Sequence, residues 1–293
     1  MRGLRSTVVA VVVVVLGALA FARLTSTNGP VASNPAFGRG LSKLAVSTAT
    51  KVRLSPDNTR VALVENGSVT VVRTKDGSRV MSAGNNVVDA AWMPDGTRVI
   101  VVEGPIPTGE IAAVDMDGRA VGIAALKPSI EFGDGFGLAV NSDGTHVTAI
   151  AVTRDAIGGA VHTDVADINL QTGVTRVFRT PAEERTSIWV TDDAIGSVAN
   201  GVFSIRNLVD NGVTEVVNGV AGGPFVTTAT GEVVLETADH ELLIVDPASP
   251  DKPTLRALPA GHEAVDVDTQ VTRALVRVTE RDGTVHLSMH ALT

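Results

Sequence analysis

Short apolar runs separated by polar turns recur along the chain after about residue 40. In the three clearest copies an apolar run leads to a small or polar residue, an Asp, a Gly or Asn, a basic residue or His, and a second apolar run. The clearest copies span residues 52–61, 91–99 and 139–147, and weaker copies span residues 188–195, 225–233 and 264–270. The anchor positions of the six turns are 57, 95, 143, 192, 230 and 268, so neighbouring copies lie 38 to 49 residues apart. A period near 40 residues predicts a repeat fold in which each unit packs on the next.

Each repeat has room for four short strands. In the second copy, strand-like runs cover residues 87–92, 98–102, 110–114 and 120–124, with Asp-Gly turns at residues 95–96 and 117–118. No 11-residue window after position 40 has an apolar stripe of helical period. The Val- and Ile-rich runs are typical of strands buried on both faces. We therefore predict an all-β fold, a six-bladed β-propeller of four-stranded antiparallel blades.

The last repeat predicts how the ring closes. Three strands fit residues 264–267, 273–279 and 285–290, and the chain then ends at Thr293. A fourth strand for this blade is therefore expected from residues 40–46, just before the first repeat. Such closure would remove an exposed sheet edge. The propeller domain is predicted to span residues 40–293.

The N-terminal segment predicts export. Arg2 and Arg5 precede an uncharged apolar run over residues 8–21. Fourteen helical residues span about 21 Å, less than the ~30 Å hydrocarbon core of a bilayer, which favours a signal peptide. Small residues at 18, 20 and 22 fit a cleavage site, whereas Arg23 fits the flank of an anchor. Residues 1–22 are therefore interpreted as a signal peptide or a signal anchor, and residues 23–39 as a flexible linker.

Composition excludes several classes of chemistry. The chain has 24 Lys and Arg against 32 Asp and Glu, a net charge of −8, and no basic block, which argues against nucleic-acid partners. The chain contains no Cys, so disulfides, thiolate metal sites, a thiol nucleophile and a lipidated Cys are excluded. A G-x-S-x-G elbow is also absent, which argues against a hydrolase domain.

Residues 54–61 and 92–99, which read LSPDNTRV and WMPDGTRV, resemble the S-P-D-G turn of the TolB-type β-propeller repeat. The resemblance covers roughly residues 45–290. The resemblance implies a bacterial propeller. The family includes envelope-scaffold proteins, propeller domains of oligopeptidases and lipoprotein-associated propellers. Function therefore follows from it only loosely.

Most chemical motifs have a structural interpretation. The turn aspartates Asp57, Asp95 and Asp143 are expected to accept backbone N–H bonds. His286 and His290 have the spacing of zinc ligands on a helix, but on a strand they would lie about 13 Å apart. Residues 115–118 resemble the start of a calcium loop without its later ligands and are interpreted as a β-turn.

Aromatic residues and long loops provide few indications of a binding surface. Trp92 and Trp189 occupy equivalent repeat positions, which favours core packing. The loop 131–137 places two Phe among three Gly, and we favour core packing for them over an aromatic lip. The insertion at residues 153–160 is a further surface candidate.

The leading hypothesis is a non-enzymatic, extracytoplasmic propeller, secreted or anchored, that binds or scaffolds another envelope protein or peptide. The alternative is a propeller enzyme, lactonase- or dehydrogenase-like, or a small-ligand or metal binder that uses the central channel. No catalytic, cofactor-binding or metal-binding residue is predicted, no cofactor is expected, and membrane contact is expected only through residues 1–22. Partner-binding residues and oligomeric state are not predicted.

Overall fold

A computed structural model describes residues 40–104, 109–121, 131–132, 137–154, 161–178, 186–228 and 230–292. These residues belong to one structural unit, Ala36–Thr293. The backbone within them forms six antiparallel sheets that follow one another along the chain. The predictions for residues 1–39 therefore lie outside the described residues.

The first two sheets come from the best-preserved repeats. The first sheet has the order β1 (Lys51–Leu54), β2 (Arg60–Glu65), β3 (Ser68–Arg73) and β4 (Arg79–Ala83). The second contains β5 (Val87–Trp92), β6 (Arg98–Glu103) and β7 (Glu110–Asp115). Within the fourth strand predicted over 120–124, Ala120 forms a single bridge with Val114, and residues from 122 lie outside the described part.

The third sheet is the most irregular one. It contains β8 (Glu131–Phe132), β9 (Ala139–Val140), β10 (His146–Arg154), β11 (Val161–Asn169) and β12 (Thr175–Phe178). β8 and β9 both pair with β10, so two short strands occupy the inner position.

The last three sheets follow the same plan. The fourth contains β13 (Thr186–Thr191), β14 (Ala194–Ala199), β15 (Val202–Asn207) and β16 (Val213–Asn218). The fifth contains β17 (Val220–Thr227), β18 (Val233–Thr237), β19 (Glu241–Val245) and β20 (Thr254–Ala257). The sixth contains β21 (His262–Val267), β22 (Arg273–Thr279) and β23 (Val285–Ala291).

The sheets are arranged as a closed ring. The inner strands contact one another in the cyclic order β1, β5, β9, β13, β17, β21 and back to β1. This order confirms the six-bladed all-β propeller. Four regular strands are present in blades one, four and five, whereas the described parts of blades two and six have three.

The N-terminal part of the domain lies along the outer strand of blade six. Ala45 forms a bridge with His286, and the Val46 N–H donates to the Val285 carbonyl at 3.0 Å. Residues Leu41–Lys43 form a short 3-10 helix, so the continuous strand predicted over 40–46 is reduced to this one bridge. Leu41 is completely buried and packs in a cluster with Leu275 and Leu287 of blade six and residues of blade one. The edge of blade six is therefore covered mainly by buried apolar side chains, and strand hydrogen bonds are limited to this bridge.

Apolar clusters between neighbouring blades form the core. One cluster joins Val69 and Val71 of blade one to Val99 and Val101 of blade two, for example. Such strands are buried on both faces, as their Val-rich runs predict.

The two tryptophans are buried in this core, as predicted. Trp92 is 8% exposed and Trp189 is 7% exposed. Each indole N–H donates to a carbonyl on the inner strand of the preceding blade, Trp92 to Arg53 at 3.0 Å and Trp189 to Ala139 at 3.1 Å. The same bond therefore recurs between two pairs of blades, which explains the repeat position of both indoles.

The antiparallel order gives the ring two different ends. Turns between the first and second strands of every blade lie at one end, which we call the turn end. Turns between the second and third strands, and the starts of the inner strands, lie at the opposite end, which we call the mouth. The turns of the repeat motif therefore all lie at the turn end.

Candidate functional site

The turn aspartates are structural, as their sequence context predicted. Asp57, Asp95 and Asp143 each accept a hydrogen bond from the backbone N–H two residues later, at 3.1, 2.9 and 2.8 Å. The N–H of Thr97 lowers the pKa of Asp95, and the hydroxyl of Thr145 lowers the pKa of Asp143. Burial alone would raise the pKa of Asp57, but its hydrogen bonds outweigh that effect and lower it. These carboxylates therefore stay ionised and hold turns.

Two of the weaker anchors are held differently from the three strong ones. Asp192 lies in a two-residue hairpin between β13 and β14, where its carboxylate accepts a 2.9 Å bond from Ser142 of blade three. Asp268 lies two residues earlier in its turn than predicted, because its carboxylate bonds the N–H groups of Thr272 and Arg273. The left-handed position of that turn is taken by Val271, with φ of 53°, where other blades have Gly or Asn. The predicted anchor at 268 was therefore wrong by two residues.

The other sequence candidates do not converge on a site. Asp115 accepts bonds from the N–H groups of Asp117 and Arg119, both at 2.9 Å, as expected for a β-turn. His286 and His290 lie on β23, as predicted. Within the described ranges, no three His, Asp or Glu side chains are grouped as ligands for a metal ion. Residues 133–136 of the Phe-containing loop and most of the insertion at 153–160 fall outside the described residues.

A cavity of about 740 Å³ opens at the mouth. Its walls come from the starts of the inner strands of blades one, four, five and six, and from turns beside them. Apolar wall residues include Val52, Val198 and Phe225, and polar ones include Thr186 and Asn200. A cavity of this size is large enough for a drug-sized ligand or a short peptide segment.

The wall from blade five carries a carboxylate paired with a histidine. Glu236 is 6% exposed, and one of its carboxylate oxygens lies 2.9 Å from Nδ1 of His240, in the next turn. Burial raises the pKa of Glu236, and the nearby charge of Glu263 raises it further, while the bond to His240 opposes both. The hydrogen bond and the charge of Glu236 raise the pKa of His240. Gly222 makes room for this carboxylate, since a Cβ there would lie 2.8 Å from Glu236 Oε2.

The wall from blade six carries a guanidinium with one nitrogen that has no partner among the described residues. Arg277 on β22 lies directly opposite Glu263 on β21 in the ladder, and its Nη1 lies 3.1 Å from Glu263 Oε1. Its Nη2 donates to the Thr50 carbonyl of blade one at 2.9 Å. Arg277 Nε is buried and has no hydrogen-bond partner in the described part of the chain, and the same holds for the hydroxyl of Thr186. A buried polar atom without a partner is costly unless water or a ligand bonds it.

A second charged group lies along the inner strands of blades six, one and two. Asp266 is 7% exposed and accepts bonds from Leu54 N–H at 2.6 Å, across the blade boundary, and from Val267 N–H at 2.8 Å. Burial raises its pKa to about 6, although the charge of Arg53 opposes this. Arg53 Nη2 also lies 4.0 Å from Asp89 Oδ1 in blade two. These charged residues therefore connect blade six to blades one and two.

Sequence reasoning missed the mouth residues. Glu236 and Arg277 belong to no spacing motif, because strand pairing and ring closure bring their walls together. One signal was present, since Glu236 follows Val233–Leu235 in a buried strand. A charged residue in such a run marks a paired or functional group.

Comparison with known proteins agrees with the fold. A family model described as the lipoprotein LpqB beta-propeller domain matches residues 18–132, which is less than half of the chain. No curated protein sequence matches significantly. The structure of a putative TolB from Agrobacterium tumefaciens superposes with a TM-score of 0.54 at 12% identity, over 83% of this chain and 90% of that one.

The chain has the fold of a β-propeller and is similar to TolB. Other propellers superpose equally well. The Cps50 (Swd1) propeller domain of Myceliophteria thermophila gives a TM-score of 0.55 at 11% identity, covering 85% of this chain and 88% of that one. An oligogalacturonate lyase from Vibrio parahaemolyticus gives 0.54 at 11% identity, over 81% and 72%. At such identities the likeness of this chain to solved structures concerns the fold alone.

Hydropathy adds one observation on the chain. In the part of the chain that the structure describes, no helix has both the length and the apolar character needed to span a membrane.

Proposed function

We propose that this TolB-like propeller is exported and binds another protein of the bacterial cell envelope through its mouth. The observation that carries the proposal is the mouth cavity, whose walls combine apolar surface with charged groups. Glu263 and His240 are largely exposed there, with 51% and 63% of their side chains accessible. Charged groups beside an apolar surface provide both affinity and orientation for a partner segment.

Export is supported by the sequence and by the family match. The uncharged apolar run over residues 8–21 follows two arginines and precedes a polar linker. The matching family is described as a lipoprotein propeller domain, and lipoproteins act outside the cytoplasm. Because this chain has no Cys, attachment through a lipidated cysteine is excluded, and a retained segment 1–22 is the proposed anchor if it is not cleaved.

Co-purification from the native host tests the proposal. The full chain carries a C-terminal tag, and Ala221→Arg places a large charge on an exposed position of the cavity wall. Thr97→Arg, at an exposed turn-end position, is the matched control. We expect envelope proteins that co-purify with the wild type and the control to be lost with Ala221→Arg. Equal recovery with both variants would contradict binding through the mouth.

A small-ligand or enzymatic function is the second candidate, and Glu236 is the observation that favours it. A buried carboxyl with a raised pKa beside a histidine is an arrangement used in general acid–base catalysis. A thermal-shift screen of metal ions and small metabolites separates the two functions. Stabilisation that Glu236→Gln abolishes would favour this candidate over protein binding.

A further inference from the structure

Two histidine rings meet on the face of blade six that packs toward blade five. The ring centroids of His262, on β21, and His290, on β23, lie 6.0 Å apart, with 39° between the ring planes. In the strand ladder His262 lies opposite Val278, and His290 lies opposite Ala274. Val278 and Ala274 both pack in the apolar cluster that joins blade six to Val234 and its neighbours in blade five. Since residues directly opposite each other share a sheet face, both imidazoles project from that face.

Small side chains leave room for the two rings to approach each other. Ala264 lies two residues after His262, on the same side of β21, and Ala274 lies directly opposite His290. Both alanines are buried, whereas both histidines are partly exposed. An ion can therefore reach the two rings from solvent.

The hydrogen bonds of the pair leave ring nitrogens available to a ligand. Nδ1 of His262 lies 3.1 Å from the carbonyl oxygen of Pro259. Because a carbonyl oxygen only accepts, Nδ1 carries the proton, and Nε2 keeps its lone pair in the neutral ring. A backbone carbonyl that accepts from the other ring nitrogen is a common partner of a metal-bound histidine. The ring of His290 has no hydrogen-bond partner among the described residues.

The surroundings of His290 favour its neutral form. Burial lowers the pKa of His290, and the charge of a protonated His262 lowers it further. No other charged group in the described part of the chain shifts this pKa. The neutral imidazole is the form that coordinates a metal ion.

The separation of the rings fits one shared ion. Metal–imidazole bonds are about 2.0–2.1 Å long, so the centroids of two rings on one ion lie roughly 4.5 Å apart in cis positions and roughly 6.4 Å apart in trans positions. The 6.0 Å between His262 and His290 lies between these two values. Among the divalent ions of the first transition row, Cu²⁺ binds nitrogen ligands most tightly, and it accepts a tetragonal set of nitrogen and oxygen donors.

We propose that His262 and His290 bind one Cu²⁺ ion through their imidazole nitrogens, with water in the remaining coordination positions. Within the described ranges no Asp, Glu or further His joins the pair as a third ligand. The water positions can therefore be exchanged for donors from outside the chain. The inference does not depend on the proposed function.

Calorimetric titration of the full chain in mild detergent with copper(II) chloride tests the inference. The protein carries a tag without histidine, and zinc chloride and nickel chloride are titrated for comparison. We expect one Cu²⁺ ion per chain with a micromolar Kd, and binding of Zn²⁺ and Ni²⁺ that is weaker by at least about tenfold. Electron paramagnetic resonance of the copper complex should show coupling to nitrogen nuclei of two imidazoles. Absence of Cu²⁺ binding at millimolar concentration would overturn the inference.

Histidine variants provide the matched comparison. His262→Asn and His290→Asn should each weaken Cu²⁺ binding by at least about tenfold, because a single imidazole then remains. His286→Asn is the control, since His286 lies on the same strand as His290, four residues earlier, and should leave the Kd unchanged. Thermal unfolding of each variant without metal checks that the ring is intact.

Two outcomes with these variants would contradict the site. An unchanged Kd in His262→Asn or in His290→Asn would show that the ion binds elsewhere. Equal weakening by His286→Asn would assign the ion to other ligands on β23. Either result would leave the proposed function untouched, because co-purification through the mouth tests that function separately.

Discussion

Asp266→Asn perturbs the charged group that joins the last blade to the first, and its effect on the free energy of unfolding depends on pH. In the native ring the carboxyl is buried and its pKa is raised to about 6 from the ordinary 3.8. A raised carboxyl pKa means that the native state binds a proton more tightly than the unfolded chain. The contribution of Asp266 to stability is therefore fully present below pH 3.8 and is lost as pH rises to about 6.

The size of the effect follows from the two pKa values. Their difference corresponds to about 3 kcal/mol over the whole range, and to about 2 kcal/mol between pH 7 and pH 4.5. The amide of the Asp266→Asn variant cannot take up a proton, so the variant lacks this contribution. The attraction to Arg53 and the bond from the Leu54 N–H favour the ionised carboxylate and are already contained in its pKa, so the substitution of the carboxyl by an amide adds only a further offset that does not depend on pH.

Urea unfolding of the full chain at several pH values between 7 and 4.5 measures the difference. The free energy of unfolding of the wild type minus that of Asp266→Asn should increase by about 2 kcal/mol on acidification, with similar m values. Asp282→Asn is the control, because the backbone N–H and the hydroxyl of Thr284 lower the pKa of this exposed carboxyl, and no increase is expected. A difference that stays constant or shrinks as pH falls would refute the burial argument.

Three further predictions concern closure, the interblade bonds and the mouth. Leu41→Ala should lower the free energy of unfolding by about 2–5 kcal/mol in urea titrations, because this buried residue packs against blades one and six. Leu255→Ala, at an exposed position, should change it by less than about 0.5 kcal/mol. Trp92→Phe should cost about 1 kcal/mol through the lost indole bond to the preceding blade, and an unchanged urea midpoint would contradict that role. Glu236→Gln should lower the pKa of His240 in NMR titrations, and an unaltered titration would show that the pair does not form in solution.

Repeat spacing and turn chemistry predicted the ring because each strong copy carries its own local signal. Asp95 and Gly96 specify a turn whatever the rest of the chain does, and the apolar runs beside them predict strands. Blade six was misaligned because Val271 occupies the left-handed position of its turn, where Gly or Asn is expected. Three bonds from Thr272 and Arg273 to the Asp268 carboxylate hold that turn instead, and no local composition signals them.

The mouth was not predicted because its residues are brought together by register and ring closure. Glu263 and Arg277 are 14 residues apart and face each other only because β21 and β22 pair in one particular register. Thr50 joins them from the opposite end of the domain sequence once blade six meets blade one. A one-residue slip of either strand would separate the pair, so spacing alone could not identify it.

Site-specific photocrosslinking in the native host tests most directly whether the mouth contacts a partner. A photoreactive residue replaces Thr48, which is exposed on the cavity wall, or Thr97, which is exposed at the turn end. The proposed function predicts that one envelope protein is crosslinked from position 48 and not from position 97. Crosslinking from position 97 alone, or from neither position, would contradict it.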